Sequence, residues 1–202
     1  MHGSDIAQAG RERQRWATAI SNVTSPSIIA LFTFVLVNYA VSSRLSFVGL
    51  TVLTTLFAAV VPLWILLAWI RTRARYADNA AEAGRWCWVA ASTVSYFFGT
   101  AVLLLIRAPP LIAVVAFGYG TCMLVMLIIN LRWKISVHTM GIAVPTAVLA
   151  FVFGAWGLTC GLLLPPVIWS RVYLKKHTIA QALAGALVSF VLMALILVLL
   201  LS

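Results

Sequence analysis

An all-α integral membrane protein is the fold class that this sequence predicts, and three observations support it. Of its 202 residues, 63% are hydrophobic and only 9% are charged, whereas a soluble domain usually carries about 25% charged residues. The mean hydropathy is +1.07. The apolar residues also occur in runs of about twenty, the length that a helix needs to cross the apolar core of a bilayer. We therefore predict one membrane-embedded domain, residues 1–202, built as a bundle of six to seven transmembrane helices.

Residues 1–20 differ from the rest of the chain because charged side chains are frequent in them. The segment holds three arginines and two acidic residues, and it lacks the short apolar core and small-residue cleavage site of a signal peptide. We expect it to form a cytoplasmic or interfacial lead-in to the bundle.

Five apolar runs each predict one transmembrane helix. They cover about residues 22–42, 47–70, 86–107, 110–131 and 179–201. Between the third and the fourth run, Arg107-Ala108-Pro109-Pro110 predicts a tight turn, because proline cannot continue the preceding helix. The last run begins with small residues that would let a neighbouring helix approach closely: Ala180, Ala182, Ala184, Gly185 and Ala186.

The apolar run from Thr139 to Trp169 has two interpretations. As one helix it would extend about 46 Å, which is longer than the bilayer core. Alternatively, Gly154-Ala155-Trp156-Gly157 turns the chain and makes a short hairpin over about residues 139–171. The hairpin places twelve of the fourteen Lys and Arg residues on one side of the membrane, and a single crossing places nine there. Because basic residues concentrate on the cytoplasmic side, the charge distribution favours the hairpin and assigns that side to the cytoplasm.

Two basic segments at the ends of this run each carry a histidine. In the hairpin they lie on the same side of the membrane, so that His138 and His177 converge. Histidine is suited to nucleophilic attack or proton transfer near neutral pH, and cations such as Arg171 and Lys134 can hold a phosphate together with N–H groups at a helix start. A single intramembrane histidine is more typical of packing, but this combination indicates phosphoryl transfer from a lipid phosphate.

The second segment carries a resemblance to a known family. Ser170-Arg171, five further residues, His177, three further residues and Gln181 resemble the third motif of the type 2 phosphatidic acid phosphatase (PAP2) superfamily, Ser-Arg-x5-His-x3-Asp. Gln181 stands at the position of the aspartate. An amide can hold a histidine tautomer but offers no charge.

The first segment and the connection between the two fit the same superfamily. Ile135-Ser136-Val137-His138 resembles its second motif, Pro-Ser-Gly-His, and keeps the serine and the histidine. The superfamily has two helices between these motifs, as the hairpin does. The first motif, Lys-x6-Arg-Pro, has no literal match. Its expected region is the loop from Arg71 to Arg85. An equally good explanation of this basic loop is that it only marks the cytoplasmic side of the membrane. The candidates in it are Arg75 and Arg85 for binding phosphate, and Asp78 and Glu82 for holding these arginines.

The resemblance implies a metal-independent lipid phosphatase that uses no cofactor. His177 would attack phosphorus to give a phosphohistidine, Gln181 would orient it, and His138 would protonate the leaving oxygen. The phosphate would be bound by hydroxyl and cationic side chains: Ser136, Ser170, Lys134, Arg171, Arg75 and Arg85.

Other chemistries are less compatible with the sequence. Only four acidic residues are present and none is adjacent in sequence to His138 or His177, so a hard-cation site is not expected and activity should resist chelators. The basic residues flank apolar runs, which is typical of membrane topology and not of nucleic-acid binding.

The expected partners are the bilayer and a lipid phosphate or diphosphate, such as a polyprenyl phosphate, a polyprenyl diphosphate or phosphatidate. The expected location is the plasma membrane of a prokaryote. A lipid phosphotransferase and a non-catalytic lipid-phosphate-binding protein are the alternatives.

Overall fold

The computed structural model describes residues 3–72 and 80–202, and in these ranges the chain is helical with no strand. The α-helices are α1 (Gly3–Val23), α2 (Pro26–Val41), α3 (Arg44–Thr55), α4 (Val61–Thr72), α5 (Ala80–Leu105), α6 (Pro110–Asn130), α7 (Val137–Phe153), α8 (Leu164–Tyr173) and α9 (Ile179–Leu201). A π-helical turn, Leu56–Val60, joins α3 to α4, and a 3-10 helix, Gly154–Leu163, joins α7 to α8. The all-α class predicted from the sequence is confirmed.

Five described helical stretches are long and apolar enough to cross a membrane, and α1 with α2 forms a sixth if this pair, bent by 44°, is one span. One of the five, Val137–Tyr173, folds back on itself. The described residues thus contain five to six possible spans, and the predicted six to seven helices are reached only when the two short arms of this stretch are counted separately. The protein is therefore an integral membrane protein by the length and composition of its helices.

The stretch from α7 to α8 is the predicted hairpin. α7 ends at Phe153, and Gly154 follows with a φ of 62°, a conformation that residues with a side chain rarely adopt. The chain then returns alongside α7, so that a Cβ added at Gly157 would overlap the backbone of Leu149. This close approach excludes the single long crossing. The return arm brings α8 to the end of the bundle where α7 begins.

The centre of the bundle is formed by α6, α7 and α9, with α2 packed on α7 and α5 packed on α6. Three buried aromatic rings connect α2, α5 and α6. Tyr96 stacks on Tyr119 with 5.2 Å between ring centroids, and Phe34 lies 5.5 Å from Tyr119. These rings supply a large contact area at the middle of the bundle.

Helix α1 packs against the bundle. The sequence predicted a lead-in over residues 1–20 but not these contacts. The Tyr173 hydroxyl of α8 donates to the Gly10 carbonyl over 3.4 Å, and Ala17 is fully buried. Most of the helix remains exposed, as the 68% exposure of Trp16 illustrates. The N-terminal segment therefore covers α8 along one face.

Candidate functional site

A tight turn after α8 returns the chain to the bundle and presents His177. The Lys176 N–H donates to the Arg171 carbonyl over 3.0 Å, and the Lys175 N–H donates to the Val172 carbonyl over 2.9 Å. Lys175 has a φ of 54°. This pair of hydrogen bonds with one left-handed residue is the Schellman arrangement that ends many helices. It reverses the chain, and the His177 N–H lies 3.3 Å from the Arg171 carbonyl.

Helix α9 begins directly after His177 with a capping box. The Gln181 N–H donates to the Thr178 hydroxyl over 3.3 Å, and the Thr178 N–H donates to Gln181 Oε1 over 3.0 Å. The side chain of each residue thus accepts a hydrogen bond from the backbone N–H of the other, and these N–H groups have no partner within the first helical turn. The amide oxygen expected to orient His177 is used here to start the helix.

The His177 ring donates its described hydrogen bond to another part of the chain. Its Nδ1 lies 3.2 Å from the carbonyl oxygen of Lys134. Because a carbonyl oxygen only accepts, this contact requires the proton on Nδ1, and in the neutral ring the lone pair is then on Nε2. The Lys134 carbonyl therefore restricts the orientation of the His177 ring, and Gln181 as the orienting residue stays a prediction.

Ser136 caps helix α7 from a fully buried position. Its hydroxyl accepts from the Thr139 N–H over 3.4 Å, and its own N–H donates to the Gln181 carbonyl over 3.2 Å. Gly185 makes this contact between α7 and α9 possible, since a Cβ there would lie 2.6 Å from the Ser136 carbonyl oxygen. The hydroxyl expected to bind phosphate is thus enclosed between two helices.

Ser170 and Arg171 are adjacent in α8 but have different surroundings. Ser170 is fully buried, and its hydroxyl donates to the Ala17 carbonyl over 2.7 Å, so it fastens α1 to α8. Arg171 is half-buried, and its Nη1 donates to the Ser21 hydroxyl over 2.7 Å. Its Nε has no hydrogen-bond partner in the described structure. The guanidinium therefore keeps hydrogen-bonding capacity that the described residues do not use.

A cavity of about 320 Å³ lies where these segments meet. Its cationic or titratable lining consists of Lys134, His138, Arg171, Lys176 and His177. The neutral lining consists of Ser25, Pro26, Ser27, Trp88, Val89, Asn130, Ile135 and Val137. The two histidines, Arg171 and Lys134 are thus brought together as predicted, while Ser136, Ser170 and Gln181 are not part of the described lining.

The electrostatics of the cavity favour an anion. His138 is close enough to Arg171 and His177 for their charges to interact, and no carboxylate occurs among the described lining residues. His138 is the second residue of α7, and His177 precedes the Thr178 cap of α9. The positive ends of two helix dipoles therefore lie beside the two rings. In residues 3–72 and 80–202, no group of three or more His, Cys, Asp or Glu could hold a metal ion.

The candidates from the first motif are not tested by this geometry. Arg75 and Asp78 lie outside the described residues, and Arg85 and Glu82 belong to α5 but their side chains are not described. The same helix contributes Trp88 and Val89 to the cavity. No motif marked these two residues, nor Asn130, the turn between α1 and α2, or Lys176. Lys176 reaches the cavity because it directly precedes His177, whereas tertiary packing brings the other residues there, which local sequence does not show.

No protein-family model, no curated protein and no solved structure matches this chain. The fold and the described side chains define its class: an all-helical integral membrane protein with a basic, histidine-containing cavity at one end of the bundle. A function has to be inferred from the chemistry of that cavity.

Proposed function

We propose that this protein is a membrane lipid phosphatase of the metal-independent, phosphohistidine type. The observation that carries the proposal is that His138 and His177, which lie in different helices, line one cavity together with Arg171 and Lys134. Two imidazoles beside fixed cations provide a nucleophile, a proton carrier and a binding site for the phosphoryl oxygens.

In the first step, the lone pair on His177 Nε2 attacks the phosphorus atom. The new P–N bond forms while the P–O bond to the lipid oxygen, or to the remaining phosphate of a lipid diphosphate, breaks. His138 in its imidazolium form gives a proton to the leaving oxygen and becomes neutral. Arg171 and Lys134 stabilise the negative charge on the phosphoryl oxygens in the transition state. The Lys134 carbonyl supports this step because it fixes the His177 tautomer with Nε2 unprotonated.

In the second step, water replaces the leaving group. It attacks the phosphohistidine, transfers a proton to His138, and breaks the P–N bond. Inorganic phosphate leaves, and both histidines return to their starting forms. An acceptor alcohol in place of water would make the same protein a lipid phosphotransferase, so the two functions differ only in the group admitted to the cavity.

The substrate that we propose is an amphiphilic phosphate or diphosphate. A volume of about 320 Å³ is at the lower end of ligand pockets and suits a head group better than a complete lipid. Trp88, Val89 and Pro26 form an apolar part of the lining from which a tail could continue into the bilayer. Polyprenyl phosphate, polyprenyl diphosphate and phosphatidate all meet this description.

We further propose that the cavity opens toward the cytoplasm of a prokaryotic cell. The support is the distribution of basic residues, since Arg44 at the start of α3 and Arg107 in the turn before α6 lie at the other end of the bundle. A Lys175→Cys variant in a cysteine-free background tests this, because residue 175 is exposed. We expect a membrane-impermeant maleimide to label this cysteine only when the cytoplasmic face of the membrane is made accessible. Labelling in intact cells would contradict the orientation.

A non-catalytic lipid-phosphate-binding protein is the second candidate. The observation in its favour is that the Gln181 side chain, at the position of the motif's aspartate, caps α9 through its Oε1 atom. An amide used in this way does not orient the histidine ring. Such a site binds phosphate but activates the nucleophile less strongly.

The test is a phosphate-release assay on the purified full chain in detergent with the three lipid classes above. Release by the wild type that is lost in His177→Ala, and retained in the exposed neighbour Lys175→Ala, is the result that we expect. Binding of the lipid phosphates without release would identify the binding protein, and labelled lipid alcohol product without free phosphate would identify the transferase. If the protein neither binds the lipid phosphates nor releases phosphate from them, the proposed site is refuted.

A further inference from the structure

The last turn of α1 contacts both of the segments that form the cavity, although no motif includes it. Ser21 is 7% exposed, and its hydroxyl accepts a hydrogen bond of 2.7 Å from Arg171 Nη1. One turn earlier, the Ala17 carbonyl accepts from the Ser170 hydroxyl over 2.7 Å. Two successive residues of α8 are thus fixed by two positions on the same face of α1.

The Ser21 backbone makes a second contact, with His138. In a continuous helix the Ser25 N–H would donate to the Ser21 carbonyl, but here it donates to the Asn22 carbonyl over 3.2 Å. Pro26, the next residue, has no N–H. The end of α1 therefore leaves the Ser21 carbonyl without its helical partner, and this carbonyl lies close enough to the His138 ring to interact with it electrostatically. One residue contacts a cation from the hairpin's return arm and a histidine from its outgoing arm.

We infer that Ser21 is a positioning residue that holds Arg171 and His138 in the arrangement that binds phosphate. This inference rests on the proposed function of the cavity and adds α1 to its machinery. An arginine side chain has many rotamers, and a half-buried guanidinium without its hydroxyl acceptor loses the contact that selects one of them. Loss of the Ser21 hydroxyl should therefore weaken phosphate binding more than it slows the chemical step.

The Ser21→Ala variant removes the hydroxyl and keeps the backbone carbonyl that contacts His138. We expect KM for phosphatidate in mixed micelles, and Kd for inorganic phosphate, to rise on the order of 10-fold, because a hydrogen bond to a charged group is lost. The expected change in kcat is smaller, within about 3-fold. Ser21→Thr keeps a hydroxyl and should restore most of the phosphate affinity.

Thr18→Ala is the matched control. Thr18 is also a hydroxyl residue of α1, but it is exposed and donates to the Gln14 carbonyl of its own helix over 2.9 Å. This variant should have wild-type KM and wild-type phosphate affinity. If the substitutions only loosened α1 in general, Ser21→Ala and Thr18→Ala would lower phosphate affinity alike. Ser21→Thr would then not restore that affinity.

The experiment separates this inference from the proposed function. If the wild type binds inorganic phosphate but releases none from lipids, the phosphatase proposal fails while the Ser21 comparison can still be made by phosphate binding. A folded Ser21→Ala protein, with wild-type melting temperature and unchanged phosphate affinity, would overturn the inference. An equal loss of affinity in Thr18→Ala would overturn it as well.

Discussion

The two helices that present the histidines begin at the same cavity but are built differently. The start of α7 is enclosed: its cap Ser136 is fully buried, and α9 covers it at Gly185. The start of α9 is open, since its cap Thr178 is exposed and is satisfied by Gln181 of the same turn. One helix start is therefore fixed by tertiary packing and the other by local sequence.

This difference extends to the two histidines. His138 of α7 lies close to Ser21 of α1 and Arg171 of α8, so its surroundings depend on three separate helices. His177 follows the Schellman turn of α8 and is oriented by the Lys134 carbonyl. Changes around His138 should therefore affect folding and binding together, whereas changes around His177 can affect the chemistry with the fold intact.

The largest effect is expected at the open start, from His177→Ala. Loss of the attacking nitrogen removes the phosphohistidine route, and phosphate release should fall by on the order of 10⁴-fold or more. The melting temperature should change little, because His177 is only half-buried and lies outside the helices. Phosphate release from a lipid phosphate, with melting in the same detergent, checks both. Retained turnover would remove His177 from the mechanism.

A smaller loss of activity is expected at the enclosed start, from His138→Ala. Proton transfer to the leaving group contributes about 10² to 10⁴-fold, so release should fall within that range. The loss should shrink for substrates with a good leaving group, since these need less protonation. Comparing an aryl phosphate with phosphatidate measures this dependence. Equal losses for both substrates would indicate that His138 only packs or binds.

The bundle and the hairpin could be predicted from the sequence because both follow from coarse properties. Apolar runs of about twenty residues determine the helices. The distribution of basic residues distinguishes the hairpin from the single crossing, and Gly154 supplies the turn with its positive φ. The convergence of His138 and His177 then follows from topology alone, without knowledge of any side-chain conformation.

The roles of individual polar side chains could not be predicted in the same way. Ser136, Ser170 and Gln181 have groups that could bind a phosphate or satisfy the backbone, and packing decides between the two. The Thr178-to-Gln181 spacing is a capping-box signature just before an apolar run. It was the one local signal that could have identified Gln181 as a cap. The docking of α1 has no comparable signal, since its contacts join residues far apart in the sequence.

The contact between the two helix starts can be broken with Gly185→Ala. The added Cβ would lie 2.6 Å from the Ser136 carbonyl oxygen and 3.0 Å from its nitrogen, and backbone atoms cannot move aside as a flexible side chain can. We expect a loss of stability of about 1–3 kcal/mol, measured by thermal unfolding in detergent. Gly49→Ala in α3 is the control, because a Cβ there meets nothing within 4 Å. Similar destabilisation by both variants would contradict the close-contact explanation.

The smallest effect, and the sharpest test of the open helix start, is expected from Gln181→Ala. If the amide serves as a cap, its loss should cost about 0.5–1 kcal/mol of stability and leave phosphate release within a few-fold of wild type. Gln181→Glu keeps an acceptor for the Thr178 N–H and adds negative charge at a helix N-terminus, so it should be at least as stable as the wild type. Paired melting and activity measurements distinguish the roles. A large loss of activity in Gln181→Ala at unchanged stability would show that the amide acts on His177, and the Lys134 carbonyl would then not be sufficient to orient that ring.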